Sequence, residues 1–342
     1  MLELNRIDIY EDSLLKFNKE LLSILLLDHS SNDNIIWATD NYADLGADYA
    51  PSSHITIEKI TGENTSIIQP RVNKSREIQT LRSKDKAEVF TPSWVCNKQN
   101  NLVDDAFFGR TGVFNTEIDR GWIPTEIVDF RDGEDWQDYV KAKRMEITCG
   151  EAPYITSRYD TTTGDMIEPL SRIGILDRKF RVVHEILGKS PVQTWFKWMK
   201  IALQSTYGYE WQGDNLLLAR ENVLFTFIDF YQLRRPGEMP TIGYLKEVAT
   251  IISWNLWQMD GLKMVIPETC HDIEHMVPVE KGLFDEDLPD FETKLYPCPG
   301  CKDNNIHLHN GIQCKIMNWF PSEPNDKTGE IFFHTLVKSI VR

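Results

Sequence analysis

Long apolar runs and Pro-Pro pairs are missing from this 342-residue chain, and positive charge is in deficit. Its longest near-apolar run, Leu21 to Leu27, is interrupted by Ser23 and falls far short of the roughly 20 residues a membrane span needs. No membrane is therefore expected. Lys and Arg number 37 against 52 Asp and Glu, a formal net charge of −15. That deficit excludes a protein that coats nucleic acid by bulk charge, while a local basic groove stays open. The stretch Met1 to Asp12 lacks a basic segment followed by an apolar one, so no secretory leader is expected and a cytoplasmic location is. Thiols stay reduced there, and the six cysteines are read for metal before disulfides. A chain of this size has room for two domains, or one large domain with an embellishment, and needs no disulfide to hold a core.

Leu14, Leu15, Phe17, Leu21, Leu22, Leu25 and Leu26 recur at helical spacing behind Asp12 or Ser13, which predicts a packing helix. Residues 28–70 are polar and irregular, with short β-like runs such as Ile55-Thr56-Ile57. The one basic stretch follows. Arg71, Lys74, Arg76, Arg82, Lys84 and Lys86 face only Glu77 and Asp85, so they are the candidate phosphate contacts, with a solvated helix face as the alternative. Strand and helix patterns then recur. Strands are expected at Met145–Thr148, Ile173–Leu176 and Ser253–Gln258. Helices are expected over 190–205, Asp214–Tyr231 and Leu245–Ile252. Such alternation favours an α/β layered sheet.

Four segments, in order, could carry chemistry: Phe90-Thr91-Pro92; Glu146-Ile147-Thr148-Cys149-Gly150-Glu151-Ala152; Tyr207-Gly208-Tyr209-Glu210 with the helix beyond it; and Asn255 to Gly261 around Asp260. A tight turn after a strand lets backbone N–H groups approach a ligand. An acid at a strand tip accepts from ribose hydroxyls. Together the four segments resemble the adenine-N6 DNA methyltransferases of restriction–modification systems, the "subunit M" type. The Phe-Thr-Pro element and the Asp-Pro-x-Cys-Gly-x-Gly loop are matched here by Phe90, Thr91 and Pro92, and by Cys149 and Gly150. Glu146, Ile147 and Ala152 stand where that loop has Asp, Pro and the last Gly.

The resemblance implies a Rossmann-like methyltransferase sheet that binds S-adenosylmethionine. Phe90, Thr91 and Pro92 would touch the cofactor, and the loop with Glu146, Cys149 and Gly150 would take its methionine carboxylate and amine. Glu210 would hold the ribose, with Asp177 as its rival, and Asp260 would accept from the adenine amine. Double-stranded DNA and a second restriction–modification subunit are the partners it implies. The family's catalytic Asn/Asp-Pro-Pro-Tyr/Phe element is absent, because the sequence contains no Pro-Pro. In Asn318-Trp319-Phe320-Pro321 similar residue types stand in the wrong order. Two readings therefore remain: a cofactor-binding methyltransferase module completed by another chain, and a non-catalytic DNA-recognition or interaction subunit that keeps the fold. A nuclease finds no distinct pair of carboxylates with a lysine.

Near the C-terminus, Cys298-Pro299-Gly300-Cys301 is followed by His307, His309 and Cys314. A Cys-x-x-Cys knuckle with a later Cys and His suits a structural zinc, with Cys298, Cys301, His309 and Cys314 as ligands. His307, Cys270 and His271 are substitutes, and Asn310-Gly311 is the turn that would fold Cys314 back. The organisation expected is a helical and basic region over 1–86, an α/β domain over 87–268, and a Cys/His-rich, zinc-binding-like extension over 269–342.

Overall fold

The computed structural model describes residues 7–8, 11–85, 91–279, 289–320 and 329–337. Phe90, Lys86, Pro321 and the junction at 86–87 lie outside the described residues. Two short helices, α1 (Glu11–Phe17) and α2 (Lys19–Leu26), open the fold. Asn18 divides what the sequence pattern reads as one helix. Its backbone N–H closes α1 on the Leu14 carbonyl, and its side chain accepts from the Leu21 N–H at 3.2 Å to open α2. Asn is a weak helix interior residue and a strong N-cap, so the chain breaks there. Strands β1 (Leu27–Asp28) and β2 (Asp33–Asn34) pair antiparallel. Irregular chain leads on to α3 (Ile57–Ile60) and α4 (Arg76–Asp85). Ile57, read as β-like in the sequence, begins α3.

Next come α5 (Ser93–Phe108), an antiparallel pair β3 (Asn115–Ile118) and β4 (Gly121–Pro124), and α6 (Trp136–Lys141). The centre of the molecule is a parallel sheet of β5 (Arg144–Glu146), β6 (Thr206–Glu210) and β7 (Leu256–Gln258), in that order. Met145 stands opposite Tyr207 and Tyr209 opposite Trp257. The crossover from β5 to β6 carries α7 (Ile175–Leu187) and α8 (Val192–Gln204). The crossover from β6 to β7 carries α9 (Gly213–Arg234) and α10 (Ile242–Asn255).

Two expected strands change. Ile173–Leu176 runs into α7, with Asp177 accepting the Gly174 N–H at 3.0 Å at the helix entrance. Residues 253–255 finish α10, and the strand begins only at Leu256. The end of α10 is held from outside. The buried Arg220 guanidinium donates to the carbonyls of Leu25, Leu27, Ser253 and Leu256. It thereby satisfies carbonyls that two helix ends leave orphaned.

The sheet has two apolar faces. Leu256 and Cys149 pack with α1, α2 and α7–α10 in the main core. Tyr207 and Trp257 face a second, smaller core with Met259, Ile266, Cys314, Ile316 and Phe333. That second layer is built by the chain after β7. This part of the chain carries the largely exposed antiparallel pair β8 (Ile273–Pro278) and β9 (Phe291–Tyr296), then α11 (Pro299–Asp303), then the antiparallel pair β10 (Lys315–Asn318) and β11 (Gly329–Phe332), of which Ile316 lies in the second core. The structure is therefore mixed α/β, with a three-stranded parallel sheet between helices and a C-terminal layer. Among the described residues, no helix is long and apolar enough to cross a membrane.

Candidate functional site

Parallel strands end with their carbonyls and the following loops on one side, and ligands of open α/β sheets collect there. At the carboxyl ends of β5 and β6 the structure holds a cavity of about 700 Å³, within the usual range for a ligand of cofactor size. Glu146, Thr148, Cys149 and Gly150 line it from the loop after β5. Glu210, Trp211, Gln212 and Asn215 line it from the turn into α9. Ala38, Thr39, Asp40, Pro51, Thr91, Tyr154 and Glu268 complete the wall.

The loop after β5 is held in an unusual shape. Thr148, Gly150 and Ala152 all take left-handed backbone, with φ of 47°, 54° and 63°. Ala152 thus holds a backbone conformation that favours glycine. The Cys149 N–H donates to the Tyr209 carbonyl at 2.8 Å, fixing the loop to β6. Two more cavity residues that are not glycine, Ala38 and Glu268, also have positive φ, at 51° and 61°. Strained backbone of this kind gathers where surrounding structure imposes it, and functional sites are the commonest such place.

Two buried carboxyls face the cavity from adjacent strand tips. Glu210 Oε2 accepts the Gly150 N–H at 2.8 Å and Oε1 accepts the Gln212 N–H at 3.1 Å. Burial raises its pKa to about 7 against the pull of those donors. Glu146 accepts from the Tyr154 and Ile155 N–H groups, and burial pushes its carboxyl well above the ordinary range. A carboxylate has about four acceptor positions, and the Gly150, Gln212 and Trp211 N–H groups leave Glu210 capacity for a further donor or cation. Behind the turn, Gly213 packs so close to the chain at Ile36 that a Cβ would lie 2.0 Å from the Ile36 carbonyl oxygen. Glycine is required there to seat the wall segment 36–40 against α9.

The sequence-derived residues divide. Thr91, Glu146, Cys149, Gly150 and Glu210 all line the cavity, while Pro92 directly precedes α5. Asp260 does not line it. Its Oδ1 accepts the Leu262 and Lys263 N–H groups at 2.9 and 3.1 Å, so it caps its own Asp-Gly turn. Asp177 is buried against the Ser157 and Gly174 N–H groups, away from the cavity lining. Trp211, Gln212, Glu268 and the 38–40 segment were missed. The first two follow Glu210 into a strand-to-helix turn, a legible signal. The others arrive from distant chain and leave no local pattern.

The basic stretch divides between inward and outward side chains. Arg82 is buried and its guanidinium lies 2.8 Å from Asp214 Oδ2 and 3.1 Å from Gln212 Oε1. Lys74 is nearly covered, 3.8 Å from the same carboxylate. Burial would raise the Asp214 pKa, but Arg82 and Lys74 hold it down to about 2. The Arg71 N–H donates to Glu151 and its guanidinium to Ser83. Arg82 thus fastens α4 to the cavity wall at Gln212 and Asp214, Arg71 reaches α4 at Ser83, and Lys74 turns to Asp214 from the chain before α4. Arg76 and Lys84 are exposed.

The metal expectation is corrected by one ligand. Cys270, Cys298, Cys301 and His309 bring their ligand atoms within 4.8 Å of one another. Cys314 is instead buried in the second core, its thiol 3.4 Å from the Gln258 carbonyl. Asn310 causes the exchange. Its side chain clasps the backbone of His271 on both sides, accepting from its N–H at 3.2 Å and donating to its carbonyl at 2.7 Å. That clasp sets Cys270 beside the knuckle. Comparison with protein-family models, curated proteins and solved structures returned no match to this chain.

Proposed function

We propose that the cavity binds S-adenosylmethionine, and that the chain is the cofactor-binding module of an adenine-N6 DNA methyltransferase of a restriction–modification system. The observation that carries this reading is the pairing of Glu210, at the tip of the central strand, with the left-handed Cys149-Gly150 loop after the neighbouring strand. Both open into one cavity of suitable size. Three parallel strands in sequential order are what one half of a Rossmann-like sheet requires. Glu210 would accept from the two ribose hydroxyls. Glu146 would face the methionyl ammonium, and the half-exposed ring of Trp211, held by its Nε1–H on the Ala38 carbonyl at 2.9 Å, offers a flat face to the adenine. The cofactor supplies an electrophilic methyl group; this chain's residues bind and orient it. The amine-activating tetrapeptide would come from a partner chain, and Arg76 and Lys84 are the basic side chains left on α4 for DNA phosphate. The Cys3His group is assigned to structural zinc.

Calorimetry with S-adenosylmethionine tests this on the whole chain. Binding is expected, with Glu210→Ala weakening it about tenfold or more, as loss of a charged hydrogen-bond acceptor does. Asp260→Ala should leave it unchanged. Absence of binding, or binding indifferent to Glu210→Ala, would overturn the proposal. Binding without methyl transfer to DNA, even with the partner subunit present, would favour the non-catalytic DNA-recognition subunit.

A further inference from the structure

The four metal-ligand candidates come from two separate pieces of chain. Cys298, Cys301 and His309 lie on the knuckle and the loop after it. Cys270 lies in the segment that leaves β7. Ligand atoms stand 3.7 Å apart for Cys270 and Cys301, 3.5 Å for Cys270 and His309 Nδ1, and 3.7 Å from His309 Nδ1 to each of Cys298 and Cys301. A tetrahedral ion with metal–sulfur bonds of about 2.3 Å has ligand–ligand edges of about 3.8 Å. The Asn310 N–H also points at Cys298 Sγ, at 3.3 Å, a donor that stabilises a thiolate. Ligand type, number and spacing suit zinc.

Two residues before Cys270 stands Glu268, in the cavity wall. On its far side lies a second, smaller cavity of about 140 Å³, which Glu268 also lines. The wall here is a single stretch of chain between the two cavities, anchored by Ile266, which is buried in the second core. It contains two residues in left-handed backbone, Met264 and Glu268, each with φ of 61°. The Asp260 N–H donates to the Val265 carbonyl and the Met264 N–H to the Asp260 carbonyl, both at 2.8 Å, and three further hydrogen bonds tie the segment to residues 312–314, just beyond His309. The Ile266 N–H donates to the Ile312 carbonyl at 2.9 Å, the Cys314 N–H to the Met264 carbonyl at 3.1 Å, and the Ile312 N–H to Thr269 Oγ1 at 3.0 Å. Gly311 fits against Thr269 and Cys270 only because it has no Cβ.

We infer that zinc held by Cys270, Cys298, Cys301 and His309 clamps the 264–271 segment as a wall of the cavity, so that metal occupancy governs ligand binding there. The nature of the ligand rests on the reading above; the clamp itself does not.

The test uses the full chain, stripped with a chelator and reloaded with zinc or cobalt. It combines metal analysis, cobalt absorption, hydrogen exchange of peptides covering 264–271, and S-adenosylmethionine calorimetry. One metal per chain is expected, with the cobalt form showing tetrahedral thiolate bands. Cys270→Ser should lose the metal, Cys270→His should regain it, and Cys314→Ser should keep it. Stripping should speed exchange at 264–271 and weaken cofactor binding about tenfold. Retention of stoichiometric metal by Cys270→Ser overturns the ligand set. Metal loss with no change in exchange at 264–271 overturns the clamp. If the zinc-loaded chain binds no S-adenosylmethionine, the cofactor reading fails, and the exchange measurement still decides the clamp.

Discussion

Glu210 couples the stability of the fold to pH. Its pKa rises from 4.5 to about 7 because burial penalises the charged form more than the Gly150 and Gln212 N–H donors favour it. The native state thus keeps a proton that the unfolded chain releases. The contribution is fully present below about pH 4.5 and is lost as pH rises through about 7. A shift of this size is worth about 3 kcal/mol. Glu210→Gln cannot ionise, so its stability relative to the wild type should improve by about that amount between pH 4.5 and pH 7. Urea unfolding of both proteins across the window measures it; a difference that stays flat with pH would show that Glu210 titrates normally. Ligand hydroxyls favour the ionised form, so cofactor affinity in the wild type should rise over the same window. The place of Glu210 was legible in the sequence because an acid at the end of an apolar strand, before a strong helix, is a local pattern. Asp260 offers the same local pattern, yet its carboxylate is satisfied by its own turn. Only the packed structure separates the two.

At the scale of elements, the basic helix α4 carries a lesson about charge. Six cations in sixteen residues read as a surface for phosphate, and α4 does keep Arg76 and Lys84 in solvent. Arg82 and Lys74 turn inward to Asp214 at the start of α9, and Tyr42 joins them with its hydroxyl 2.7 Å from the same oxygen. A one-dimensional charge count cannot see a buried acid 132 positions away. Removing one partner of a buried pair leaves the other uncompensated, at a cost of about 3–5 kcal/mol. Arg82→Met should therefore lower stability by about that amount and loosen the cavity at Gln212, whereas Arg76→Met should stay within about 0.5 kcal/mol of the wild type. Thermal and urea melts separate the two cases, and equal, small effects would mean that α4 is not fastened in this way. The same blindness to distance explains the other changes. Ile173–Leu176 is a short apolar run whose period cannot distinguish strand from helix entrance. Cys270 stands 28 residues before the knuckle it joins, and no spacing rule selects it over Cys314. In contrast, β6, α9 and the Cys149-Gly150 loop were readable because sequence neighbours build them.

For the whole molecule, the decisive fact is that the central sheet is covered on both faces by distant parts of one chain. Leu21, Leu22, Leu25 and Leu26 share the main core with α9 and α10, and Arg220 ties the end of α2 to α10 and β7. On the other face, Tyr207, Trp257 and Met259 are buried by Ile316, Phe333 and Cys314. Parallel sheets are found with both faces covered, because their strands are apolar on each side. The regions 1–86, 87–268 and 269–342, drawn from composition, thus contribute to shared cores. A chain ending at residue 268 would expose the second core. Burying a large aromatic side chain is worth about 1.5–3 kcal/mol, so losing the cover over Tyr207 and Trp257 alone costs about 3–6 kcal/mol, comparable with the lower end of the margin of about 5–15 kcal/mol that keeps a typical domain folded. The shortened chain should aggregate or bind a hydrophobic dye, and should melt without a cooperative transition, whereas the full chain should unfold in one step. A soluble, cooperatively melting 1–268 chain would overturn this account, because the central sheet would then be shown to need no second layer.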